Sequence, residues 1–76
     1  MSKKTTVDAS GAFCPGPLME LIAALKLSDI GDEVEVLSTD SGSATDIPAW
    51  VEKVKHDLVG VEQNGETLHI TVKKMK

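Results

Sequence analysis

Asp8-Ala9-Ser10-Gly11-Ala12-Phe13-Cys14-Pro15-Gly16-Pro17-Leu18-Met19-Glu20 is the stretch in which the chain changes from one kind of secondary structure to another. Just before it, Thr5-Thr6-Val7 sets β-branched residues in a row, so residues 3–9 read as a short strand, which Ser10-Gly11 breaks. From Pro17 onward, Leu18, Leu21, Ile22 and Leu25 follow the i, i+3, i+4, i+7 spacing of a helix with one buried face. Two prolines at alternate positions cannot sit inside that helix, but they fit its first turn, where N–H groups lack intrahelical partners anyway. Cys14, the only cysteine, is thereby expected at a helix N-terminus, where unpaired N–H groups and the helix dipole favour a thiolate.

Working outward, Glu20 in the first turn and Lys26 in the last suit the dipole of this helix. Ser28-Asp29-Ile30-Gly31-Asp32 ends it, with Gly31 as a left-handed cap or turn residue. Residues 33–39 alternate charged and apolar side chains before turning apolar, as a strand with one covered face does. Asp40-Ser41-Gly42-Ser43 follows as a turn-rich loop able to cap a helix. Ile47, Trp50, Val51, Val54 and Leu58 then recur at helical spacing. Pro48 belongs in the first turn of this second helix, which is expected to start near Ala44 to Asp46, and Trp50 on its apolar stripe reads as the largest contribution to the core. Residues 58–63 and 66–72 flank Asn64-Gly65, a strong hairpin signal, and Lys73, Lys74 and Lys76 form a solvated tail.

The order is β-α-β-α-β-β within a single domain over residues 1–76. Right-handed crossovers after the first two strands make it a two-layer α/β sandwich, a mixed four-stranded sheet with two helices on one face. If the first three strands run parallel, Cys14, the loop Asp40 to Ser43 and the hairpin tip emerge at one edge, where open α/β sheets form their sites.

Composition excludes several functions. A net charge of −4, with eight lysines and no arginine, argues against a direct nucleic-acid partner. No apolar run approaches the roughly 18 residues of a membrane span and no signal-peptide pattern opens the chain, so a cytoplasmic protein without a membrane partner is expected. One cysteine excludes an internal disulfide and a two-cysteine redox cycle, so any second sulfur comes from another molecule.

A lone cysteine is more often a small buried hydrophobe than a reactive group. Here it lies between a glycine-containing loop and a proline-stiffened helix start, which allows exposure at low entropic cost. Such a thiol is a nucleophile, a persulfide carrier or an oxidation target. Hydrolytic catalysis needs a histidine in reach, yet His56 belongs to the opposite edge of the sheet and His69 to the uncovered face, so both read as surface residues. One cysteine and two scattered histidines make no zinc spacing, and no metal or resident cofactor is expected. Asp40 reads first as a loop cap, and Phe13, beside the nucleophile, as a partly exposed contact for a partner.

Asp8, Gly11 and the Cys14-Pro15-Gly16-Pro17 motif resemble the TusA/SirA-like sulfur-carrier family, whose signature is Cys-Pro-x-Pro at the start of the first helix. The resemblance covers essentially the whole chain and extends to Gly31-Asp32-Glu33, Asp40 and Asp46-Ile47-Pro48. It implies that Cys14 accepts sulfane sulfur as a transient persulfide from a cysteine desulfurase, a rhodanese or a DsrE-like protein. A thiol-bearing acceptor then receives it, for tRNA 2-thiolation, molybdenum-cofactor synthesis or sulfur oxidation, through transient complexes of a monomer. Pro15, Gly16 and Pro17 support the motif, with Phe13 and Asp40 as partner contacts. Phe13 stands where some members carry arginine and Gly16 where some carry glutamate. Trp50-Val51 lacks the second cysteine of some relatives, so sulfur release requires a partner's thiol. Two other readings compete: a non-enzymatic regulatory or selenium-related module that docks through the Cys14 edge, and a peroxide-sensing thiol, which lacks a resolving cysteine.

Overall fold

Every second residue of the strand Glu33–Ser38 is buried, namely Val34, Val36 and Ser38, while the residues between them are half-exposed. One face of the sheet is therefore covered and the other faces water. The computed structural model describes residues 3–11 and 16–76, and Ala12, Phe13, Cys14 and Pro15 lie outside the described residues. The elements are β1 (Lys4–Asp8), α1 (Gly16–Lys26), β2 (Glu33–Ser38), α2 (Ser43–Lys53), β3 (Asp57–Asn64) and β4 (Thr67–Lys73).

The strand order is β1-β2-β4-β3, with β1 parallel to β2 and β4 antiparallel to both its neighbours. The first three strands thus point the same way. The register sets Val34 opposite Val72, Val36 opposite Ile70 and Ser38 opposite Leu68, all on the covered face. Leu21 and Leu25 of α1 and Ile47 and Val51 of α2 join them in one buried cluster. Both helices therefore cover the same face, and the two-layer α/β sandwich expected from the sequence is the observed architecture.

Several local expectations are corrected. Helix α1 opens at Gly16, so Glu20 is its fifth residue and no acid lies in the first turn, whereas Lys26 does lie in the last. Helix α2 starts earlier than expected, at Ser43, which puts Pro48 inside the helix rather than in its first turn. It also ends at Lys53, so His56 and Leu58 are outside it. Lys55 adopts φ +67°, the His56 N–H donates to Val51 O (3.1 Å) and the Lys55 N–H to Glu52 O (3.3 Å), a Schellman cap built without glycine.

Asn64 pairs with Thr67, so the hairpin turn is Gly65-Glu66 rather than Asn64-Gly65. Gly65 has φ +66° and Glu66 does not share that sign, which suits a turn with glycine in its first central position. Gly31 is a turn residue at φ +97°, in the turn closed by the Asp32 N–H donating to Asp29 O (3.0 Å).

Trp50 is half-buried and packs against the buried cluster from its margin rather than within it. Ile47 and Val51 lie one turn apart and fill the contact with the sheet. Trp50, three residues after Ile47, faces sideways along the helix, and its ring lies 5.8 Å from that of His56.

Candidate functional site

Because β1, β2 and β3 run in one direction, the segments after β1, after β2 and at the β3–β4 turn share the carboxyl edge of the sheet. Hydrogen bonds join the first two of these. Asp8 closes the end of β1 by accepting the Ser10 N–H (3.0 Å) and the Ser10 hydroxyl through Oδ1, and both bonds hold its carboxyl below the usual carboxylate range. The chain then turns through Gly11 at φ +85°, a left-handed conformation that favours glycine. The Gly11 N–H donates to Thr39 Oγ1 at 2.9 Å, which ties this loop to the end of β2.

The β2–α2 loop has its own frame. Ser38 and Ser43 are fully buried and their hydroxyl oxygens lie 2.9 Å apart. Ser38 Oγ also accepts the Asp40 N–H (3.1 Å). Asp40 Oδ1 accepts the Gly42 N–H (3.3 Å) and its carbonyl accepts the Ser43 N–H (3.1 Å), so Asp40 acts on the loop as expected. The residue that caps α2 is Gly42, which has no side chain to offer. A polar cleft of about 140 Å³ separates Thr39, Asp40 and Ser41 from Gln63 and Glu66 of the hairpin tip. Gln63 Nε2 donates to Gly65 O (2.9 Å) and braces that tip.

Of the residues singled out by sequence, Gly16 opens α1, Pro17 is its buried second residue and Asp40 is half-buried at the same edge. Phe13, Cys14 and Pro15 lie outside the described residues. Ser38 and Thr39 were not singled out, whereas Ser43 belongs to the loop expected at this edge. The hydroxyl run Ser38-Thr39 at the end of a strand was the signal available for them.

The two histidines sit elsewhere. His69 Nδ1 lies 3.4 Å from Glu35 Oε2 on the open face, and His56 Nδ1 accepts the Met75 N–H (3.1 Å) at the opposite edge. Burial, then Lys74 and Lys76, push the His56 imidazole below its ordinary value. Among the described residues no group of three or more His, Cys, Asp or Glu side chains is placed to hold a metal ion, and no helix is long and apolar enough to cross a membrane.

The lysines fall on one edge of the sheet, although acids stand at both. All eight lysines, at positions 3, 4, 26, 53, 55, 73, 74 and 76, fall at strand starts, helix ends or the β4 end, which the topology gathers at the amino edge. The carboxyl edge has Asp8, Asp40, Asp46 and Glu66 and no lysine. Its positive influence is the first turns of α1 and α2, both of which begin there.

A family model described as "Sulfurtransferase TusA" matches residues 5–74. An Archaeoglobus fulgidus protein named as a candidate sulfur carrier is 54% identical over 92% of this chain and 96% of its own length. The sulfur carrier protein TusA of Allochromatium vinosum is 31% identical, covering 90% of each chain. Among solved structures, a SirA-like protein of Desulfitobacterium hafniense superposes with a TM-score of 0.80 at 25% identity, over 95% of this chain and 99% of that one. Matched by the family model over residues 5–74 and by relatives almost end to end, the chain belongs to the TusA sulfurtransferase family.

Proposed function

We propose that this protein carries sulfane sulfur as a persulfide on Cys14, accepting it from one protein and passing it to another. The observation that carries the reading is the family match over residues 5–74 in a chain whose one thiol stands in Cys14-Pro15-Gly16-Pro17. In loading, the Cys14 thiolate attacks the outer sulfur of a donor persulfide. A new S–S bond forms on Cys14, the donor's S–S bond breaks, and its electron pair leaves on the donor thiolate. In release, an acceptor thiolate attacks the outer sulfur of Cys14 and Cys14 departs as thiolate. Neither step needs an oxidant, a reductant or a metal.

Both steps have a Cys14 thiolate at one end, and the first turn of α1, opening two residues further along the chain, supplies N–H groups without intrahelical partners. With no second cysteine, turnover depends on partners. Donors in this reading are a cysteine desulfurase, a rhodanese or a DsrE-like protein. Acceptors serve tRNA 2-thiolation, molybdenum-cofactor synthesis or sulfur oxidation, in a cytoplasm that keeps the lone thiol reduced. The acidic carboxyl edge favours partner surfaces that are basic.

The test is intact mass spectrometry after incubation with a cysteine desulfurase and cysteine. One added sulfur mass, lost on adding an acceptor thiol and absent in Cys14→Ser, is expected. No added mass with a cysteine desulfurase, a rhodanese or a DsrE-like donor, or added mass persisting in Cys14→Ser, overturns the reading. Full cellular function of Cys14→Ala would point instead to a docking module.

A further inference from the structure

A second concave feature lies at the amino edge. Near the ends of α1 and α2 lies a cavity of about 260 Å³. Ile22 and Leu25 of α1 face Trp50 and Val54 across it, so its walls are apolar. One water takes about 10–15 Å³ of such a cavity, so it has room for a small organic molecule. Cations stand around it: Lys26, Lys74 and Lys76 line the cavity, with His56 beside Trp50.

Among the described residues none of these three lysines is ion-paired. Asp32, on the turn after α1, spends its two carboxylate oxygens on the N–H groups of Lys3 and Asp29. The Lys74 ammonium donates to Ser28 O at 2.8 Å, which holds it in place with N–H groups to spare. The charges that act on His56 are those of Lys74 and Lys76, a mark of the positive field in this corner of an acidic protein.

We propose that this cavity binds a small apolar carboxylate of about ten non-hydrogen atoms, its hydrocarbon against Ile22, Trp50 and Val54 and its carboxylate among Lys26, Lys74 and Lys76. The apolar walls select the body of the ligand and the unpaired cations select its charge. Neither feature alone specifies such an acid. The inference is independent of the sulfur chemistry, since Cys14 takes no part in it.

Trp50 is the only tryptophan, so ligand entry can be read from its fluorescence. Octanoate is expected to give a saturable change that Cys14→Ser leaves intact, with 1-octanol, its uncharged counterpart, binding about fivefold more weakly. The Lys26→Gln/Lys76→Gln double variant removes two solvent-facing charges without touching the core. It should weaken octanoate by a similar factor and leave octanol unchanged. Bound octanoate should also raise the His56 titration midpoint followed by NMR, as an added negative charge does. Absence of saturation by octanoate, equal binding of octanol, or an unaltered octanoate affinity in the double variant would each overturn the proposal.

Discussion

Thr39 Oγ1 accepts the Gly11 N–H at 2.9 Å, and this bond links the loop leading to Cys14 with the loop leading into α2. Two segments separated by 28 positions in the chain are thereby held at one edge of the sheet. The bond is exposed, so its net worth is at the lower end of the usual range, about 0.5–1.5 kcal/mol. Replacing Thr39 by valine keeps the shape and removes the acceptor. We expect a small loss of stability, faster hydrogen exchange at the Gly11 amide and slower sulfur loading of Cys14, with Thr39→Ser close to the parent. An unchanged Gly11 exchange rate would show that the bond does not organise the loop.

The buried Ser38–Ser43 pair should weigh more on stability. Ser38→Ala removes a partner from the Ser43 hydroxyl and from the Asp40 N–H at once, where water does not readily replace it. The expected cost is about 1–3 kcal/mol, a fall in Tm of roughly 4–8 °C per kcal/mol for a chain of this size. Thermal unfolding followed by circular dichroism measures it.

Core and surface leucine-type residues should separate cleanly. Ile70 is fully buried on the covered face, and Ile70→Ala should cost about 2–5 kcal/mol, a large part of the stability of so small a protein. Leu27 is 91% exposed just past α1, and Leu27→Ala should stay within about 0.5 kcal/mol of the parent. Denaturant midpoints at constant slope decide between them.

Acid should weaken the fold in two steps. His56 is held below its ordinary value, so the folded state binds its proton less readily than the unfolded chain does. Its contribution is present above the ordinary histidine value of 6.5 and is lost as pH falls from there through the lower folded value. Protonation at Nδ1 also removes the acceptor for the Met75 N–H. His56→Asn, which keeps an acceptor but does not titrate, should flatten the denaturant midpoint between pH 7.5 and pH 5. Asp8 and Asp32 are held below 3.8 by hydrogen bonds, so their contributions are present above that value and disappear as pH falls below it. Asp32→Asn should blunt this second, more acidic loss.

Pattern alone determined the element order of this protein, its layering and the edge on which its loops meet. Leu18, Leu21, Ile22 and Leu25 cannot share a face except on a helix. Val34 and Val36 cannot share one except on a strand, and right-handed crossovers then leave little choice of topology. The family was legible too, in Cys14-Pro15-Gly16-Pro17 and its companions. Element ends were less legible, because they depend on backbone bonds that leave weak traces in composition. Lys55 in the left-handed conformation ends α2 where no glycine announces it, and Asn64 joined β3 because pairing with Thr67 shifted the turn by one residue. Only the tertiary structure brought Thr39 to Gly11, buried Ser38 against Ser43, left Trp50 at the margin of the core and sorted every lysine to one edge. These are distances between residues far apart in sequence, set by how the helices settle on the sheet.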